Sequence, residues 1–160
     1  TLTTYDEDLC RKIEPNVSTT AERFEVLKTL RDAGIPTVVW LSPILPFIND
    51  NEENLVGILN MCIEAKVRGI ICFGMGVTLR EGNREYFYEQ LDRSFPGVKE
   101  KYIHTYGYQY MLDSPHDGYL MQIFHDTCEK HGIMHDNEQI FAYLSAFEDK
   151  EDFQQLSLWD

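Results

Sequence analysis

Four cysteines and five histidines carry the most reactive side chains in this sequence. Cys10, Cys62, Cys72 and Cys128 stand at long, irregular intervals. Neither CxxC nor CxxxCxxC occurs, so the chain by itself lacks the spacing of a zinc knuckle or an iron–sulfur cluster. Cys62 and Cys72 sit in apolar surroundings and read as buried thiols. Scattered thiols of this kind point to a reducing, cytoplasmic compartment. His125, Cys128 and His131 recur every third residue and could share one helix face. Such a face offers metal ligands in principle, but no zinc-type spacing is met, and the helix dipole also favours a histidine near a C-terminus. His104 and His116 fall in tyrosine-rich loops and suggest no role.

Three segments have the composition of a ligand site. The first is Thr3-Thr4, whose hydroxyls could bond a ligand or cap the helix that follows, a task for which Asp6 is equally suited. The second is the loop from Ser42 through Pro43, Ile44, Leu45, Pro46 and Asn49 to Asp50. Two prolines stiffen it, and it follows an apolar strand, where α/β folds place ligands. It reads equally as a stiff turn leading into a capped helix. The third is Gly74-Met75-Gly76, whose glycines let a ligand approach the backbone. Leu79 stands where a dinucleotide fingerprint would need its third glycine, so that motif is incomplete.

Charge narrows the partners. With 27 acidic and 14 basic residues the net charge is -13. The basic residues are thinly spread, so a nucleic-acid backbone would be repelled. No apolar run has the length of a membrane helix. Tyr102, Tyr106, Tyr108 and Tyr110 could line a pocket with polar tips or cover the rim of a core. The pairs Asp6/Glu7 and Glu52/Glu53 lie at helix starts and complement the dipole there. No Ser-His-Asp or Cys-His arrangement stands out.

The elements that must hold these residues alternate. Leu2 to Thr4 reads as the end of a strand, and Tyr5 to Glu14 as a short helix stopped at Pro15. Thr19 and Glu22 form a capping box opening a helix with Phe24, Leu27 and Leu30 on one face, closed by Gly34. Thr37 to Leu41 is an apolar run expected to be a strand buried on both faces. A helix capped by Asp50 or Asn51 follows, with Leu55, Ile58, Leu59, Cys62 and Ile63 facing inward. Gly69 to Gly74 is the next apolar strand. Strand, helix, strand, helix, strand predicts a parallel α/β sheet with right-handed crossovers. Beyond it, helices are expected at Glu85–Phe95, Tyr119–His131 and Asp136–Phe147, a mixed stretch at Gly97–Tyr106, and a short strand at Leu156–Leu158. The expected organisation is thus an α/β part over residues 1–82 and a helical extension over 83–160 packed on it.

Five motifs in order resemble one family. Leu2-Thr3-Thr4-Tyr5-Asp6-Glu7-Asp8-Leu9 is followed by Ile13-Glu14-Pro15, Ala21-Glu22-Arg23, Ala33-Gly34-Ile35-Pro36 and Pro43-Ile44-Leu45-Pro46 with Asn49-Asp50. Together they are similar to the radical S-adenosylmethionine (SAM) proteins related to spore photoproduct lyase. The likeness spans about residues 2 to 76, and the remainder looks like that family's helical tail. It implies the last three strands of a partial (β/α)6 TIM-like barrel. It also implies a [4Fe–4S] cluster and SAM as cofactors of the full-length protein, the cluster held by a CxxxCxxC motif that this sequence lacks. The resemblance places Thr3 and Thr4 at the amino-acid end of SAM. It places Pro43, Ile44, Leu45, Gly74 and Met75 along the adenosine, with Ser42 and Asn49 also on the cofactor side.

On that resemblance the chain is a C-terminal fragment that cannot cleave SAM alone, and neither cofactor is expected bound to it. Its partners are the missing N-terminal half of the barrel and an unidentified substrate. An exposed sheet edge at Leu2 to Thr4 invites a homodimer. Two other readings stay open. One is a non-enzymatic α/β interaction module that binds through its tyrosine-rich half. The other is a nucleotide-binding α/β enzyme using Gly74-Met75-Gly76.

Overall fold

The computed structural model describes residues 1–146. The fold is mixed α/β. Helix α1 (Glu7–Ile13) and helix α2 (Thr20–Asp32) precede strand β1 (Val38–Trp40). Helix α3 (Glu52–Glu64) leads to strand β2 (Gly69–Ile71). Local chemistry sets the helix ends. The Asp6 side chain accepts from Leu9 N at the start of α1. Thr19 and Glu22 close a reciprocal capping box on α2, and Asn51 caps α3 by accepting from Asn54 N.

β1 and β2 pair in parallel, with Val39 opposite Ile70 and Trp40 opposite Ile71. The sheet extends on both sides by single parallel bridges, Leu2 to Leu41 and Gly69 to Met134. Its spatial order is therefore Leu2, β1, β2, Met134. Parallel neighbours require crossover connections, and here these run through α2 and α3. The inward face of this sheet packs on α3. Leu55, Ile58, Leu59 and Cys62 are buried there with Val39, Leu41 and Ile70. Each such leucine or isoleucine contributes roughly 1.5–3 kcal/mol relative to exposure.

The chain beyond residue 82 is more than a helical layer. Strand β3 (Gly76–Thr78) pairs antiparallel with strand β4 (Met111–Asp113), and helices α4 (Asn83–Ser94) and α5 (Val98–Tyr106) lie between them. This excursion has its own core of Leu79, Leu91, Tyr102, Tyr106 and Leu112. Phe47 and Ile48, from the loop after β1, pack against it. Helix α6 (Asp117–His131) then returns to the main core through Leu120, Phe124 and Cys128, and Gly132 caps it in the left-handed conformation.

Met134 adds to the sheet, with Ile70 N donating to Met134 O at 2.9 Å. Helix α7 (Asn137–Ser145) folds across β2, with Ile140 against Gly69. The Asn137 side chain bonds the backbone of Cys72 in both directions, donating to its carbonyl and accepting from its amide. The end of the helix expected to reach Phe147, and the strand expected at Leu156–Leu158, fall outside the described residues. No helix among the described residues is long and apolar enough to cross a membrane.

Candidate functional site

The C-terminal ends of Leu2 to Thr4, β1 and β2 converge, and most of the residues singled out in the sequence meet there. They divide into two groups. Thr3, Thr4, Ile44, Leu45, Asn49 and Met75 are buried. Ser42, Pro43 and Gly74 line an open cleft of about 360 Å³.

Asn49 organises the buried group. Its amide oxygen accepts from Leu45 N at 2.5 Å, closing the proline loop on itself. Its amide nitrogen donates to Thr3 O at 2.7 Å, tying that loop to the neighbouring strand end. Asn54, in the first turn of α3, donates to the carbonyls of Thr3 and Asn49 and accepts from Tyr5 N at 2.8 Å. The Thr4 carbonyl accepts from the Thr20 hydroxyl, which joins this strand end to α2. Thr3 Oγ1 is buried without a hydrogen-bond partner. Such an atom carries a desolvation cost that an approaching polar group would relieve.

The cleft has two walls. One is the strand-end side, with Ser42, Pro43, Phe73 and Gly74; the Ser42–Pro43 peptide bond is cis. The other is the β3–β4 ribbon, with Val77, Thr78, Met111 and Asp113. Gly74 adopts φ 115°, a conformation reserved for glycine, and the turn is pinned where Met75 N donates to Asp117 Oδ1 at 2.7 Å. Gly76 is required for a different reason. A Cβ there would lie 2.6 Å from Leu112 O, so only glycine lets β4 approach this closely. Behind the cleft, the Ser114 hydroxyl donates to the Asp50 carboxylate at 2.6 Å, linking the loop after β1 to the segment after β4. A larger groove, about 650 Å³, runs between α2 and α3 on the helical side and touches none of the strand-end residues.

Phe73, Thr78, Asp113 and Asp117 were not singled out in the sequence. Phe73 belongs to the apolar run Gly69–Gly74, which continues past the end of β2 and in which nothing marks it as exposed. Asp113 and Thr78 reach the cleft only through the ribbon, whose two strands are separated by two helices.

The remaining candidates lie elsewhere. Cys128 is buried in the core while His131 is exposed, so the three-residue spacing does not gather a ligand set. His125 instead lies against His135, ring centroids 5.2 Å apart. Among the described residues no three His, Cys, Asp or Glu side chains are grouped to hold a metal ion. All four cysteines are buried and free. Burial pushes the Cys62 and Cys128 thiols up to about 12, so these are protonated thiols in an apolar core. Iron–sulfur clusters take thiolates, and this donor set does not fit one.

The tyrosines split as well. Tyr102 is fully buried in the α4–α5 core, and Tyr106 donates to Asp113 O at 2.6 Å. Burial pushes the Tyr106 phenol up to about 12. Tyr108 and Tyr110 are exposed.

No family model matches the chain, and no solved structure matches it. Uncharacterized proteins of Mycobacterium bovis and of two strains of Mycobacterium tuberculosis are each 30% identical to it over 101 residues. The match takes in 63% of this chain and 29% of each relative. The chain therefore spans under a third of the length of the curated relatives it matches.

Proposed function

We propose that this chain is the C-terminal portion of a radical SAM iron–sulfur protein and that its strand-end loops shape one side of the SAM site. In this reading the parallel strands are part of a (β/α)6 barrel, and the chemistry belongs to the whole protein. Bound in the full-length protein, the cluster would supply an electron for the reductive cleavage of SAM. The cysteines here do not fit that cluster, so its ligands lie on another part of the parent protein, and this chain alone is inactive.

One observation carries the reading. Ser42, Pro43 and Gly74, chosen from the motifs of two separate strand ends, face one cleft at the C-terminal side of a parallel sheet. That is the side on which α/β sheets and barrels bind ligands. The unpartnered hydroxyl of buried Thr3 lies at a neighbouring strand end outside the cleft lining, where a further backbone segment would satisfy it.

With part of the site absent, SAM would not stay bound through purification, but weak occupancy is measurable. A ¹⁵N-labelled chain titrated with millimolar SAM is expected to shift the amides of Ser42, Gly74, Met75 and Gly76. Shifts there with ATP or NAD but not with SAM would favour the nucleotide-binding reading instead. No shifts with any of them would remove the ligand-site reading altogether.

The interaction-module reading draws on a separate observation. Tyr86, Tyr108 and Tyr110 are well exposed on the α4–α5 excursion, and tyrosines are common anchors at protein interfaces.

A further inference from the structure

We infer that the β3–β4 ribbon makes this cleft selective for a small organic cation, with Asp113 as the residue that reads the charge. The inference rests on the strand-end cleft being a ligand site, and it adds the charge of the ligand.

Among the described residues that line the cleft, Asp113 is the only charged one, and none is a lysine or arginine. Among the described residues the Asp113 carboxylate makes no ion pair. It is held in place by its backbone. Asp113 pairs with Gly76 across the ribbon, its carbonyl accepts from the Tyr106 hydroxyl, and its Oδ1 lies over Gly76, 3.3 Å from where a Cβ would stand. The nearby Asp117 carboxylate already accepts from Met75 N. Asp113 is thus the carboxylate left for a ligand.

The opposite wall offers the exposed ring of Phe73 and the hydroxyl of Ser42. A cation with an apolar body satisfies both walls, its charge beside Asp113 and its body against Phe73. A phosphate or carboxylate ligand would meet Asp113 with no lysine or arginine among the described lining residues to offset it. An exposed carboxylate and an exposed ring are each worth little singly, and together they give a preference of about tenfold for a cation over its neutral isostere.

Two sources share this chemistry: the sulfonium of SAM and the ammonium of an amine substrate. They are separated by titrating the labelled chain with two matched pairs. One is SAM against S-adenosylhomocysteine, which lacks the sulfonium charge. The other is choline against its neutral isostere 3,3-dimethylbutan-1-ol.

A cation preference in the first pair, lost in Asp113→Asn, assigns the charge to the cofactor. The same result in the second pair assigns it to the substrate. Equal shifts within both pairs, or a preference that survives Asp113→Asn, overturn the inference. If SAM still shifts Gly74 and Ser42 without any charge preference, the ligand site stands and only the role of Asp113 falls. If none of the four probes shifts the cleft amides, both fall. Asp113 is exposed at the end of β4, so the variant is expected to keep the wild-type pattern of amide resonances outside the cleft.

Discussion

Asn49 illustrates how much one side chain can hold. It is 1% exposed and reaches back 46 residues to donate to Thr3 O while accepting from Leu45 N in its own loop. Its oxygen and nitrogen have opposite tasks, so the closest isosteres test the assignment. Asn49→Asp keeps the acceptor for Leu45 N but sets a carboxylate oxygen against the Thr3 carbonyl in a buried place. Chemical denaturation at pH 7 is expected to show a loss of about 3 kcal/mol, the scale of an uncompensated buried charge. Part of that stability should return below about pH 5, because the protonated carboxyl can donate to Thr3 O and restore the bridge. Asn49→Leu, which titrates nothing, should lose about 2 kcal/mol at both pH values through the unpaired Leu45 amide. Equal stability of Asn49→Asp at the two pH values would contradict this bridging role.

Legibility at this scale depended on distance along the chain. The proline loop and its Asn49-Asp50 end stood out as a rigid, polar-capped segment. That Asn49 reaches back to Thr3, and Asp50 across to Ser114, is a tertiary fact that no local spacing encodes. The same holds for the cleft. Its strand-end wall was readable from Ser42, Pro43 and Gly74, whereas the Asp113 wall depends on a pairing between residues 76–78 and 111–113.

At the scale of elements, the helices with caps were the readable ones. The start of α2 shows why. Thr19 N donates to Glu22 Oε2 at 2.7 Å, and Glu22 N donates to Thr19 Oγ1 at 3.4 Å, so two orphan amides are satisfied locally. Thr19→Ala is expected to lower stability by about 1 kcal/mol. Thr19→Ser should recover most of it in the same thermal unfolding measurement. A loss no greater than that of an exposed mid-helix substitution would show that the cap is idle.

Other elements had less local signal. Helix α5 begins at Gly97 in the left-handed conformation with no side-chain cap, and its Tyr102 and Tyr106 face a small separate core. Read alone, that stretch has neither a start signal nor a wide apolar stripe. Strands β3 and β4 are three residues each, too short for an alternating pattern, and they are stabilised by each other rather than by propensity. The bridge at Met134 is shorter still. The reading of residues 83–160 as a helical extension, with a mixed stretch at Gly97–Tyr106 and a short strand only at Leu156–Leu158, did not include β4 or the return to the sheet at Met134, because both depend on long-range pairing.

At the scale of the whole molecule, the parallel sheet is unevenly covered. Parallel sheets are ordinarily packed on both faces. Here one face is filled by α3 and its neighbours, and α7 covers β2 on the other through Ile140. Trp40 remains 40% exposed, Phe73 69% and Phe141 40%, and the three rings form one patch with centroids 5.9 to 6.3 Å apart. At the sheet margin Leu2 pairs with Leu41 and, among the described residues, with no strand on its other side. An apolar patch beside an open strand edge favours pairing with another chain. The net charge of -13 opposes it by mutual repulsion. The two effects respond oppositely to salt, which screens repulsion between exposed charges and leaves apolar burial intact. Sedimentation velocity on this chain is therefore expected to show self-association that strengthens with both concentration and salt. Trp40→Ser combined with Phe73→Ser should shift the equilibrium to monomer. A wild-type chain that stays monomeric at high salt and high concentration would mean that the patch and the edge are insufficient to bring two copies together.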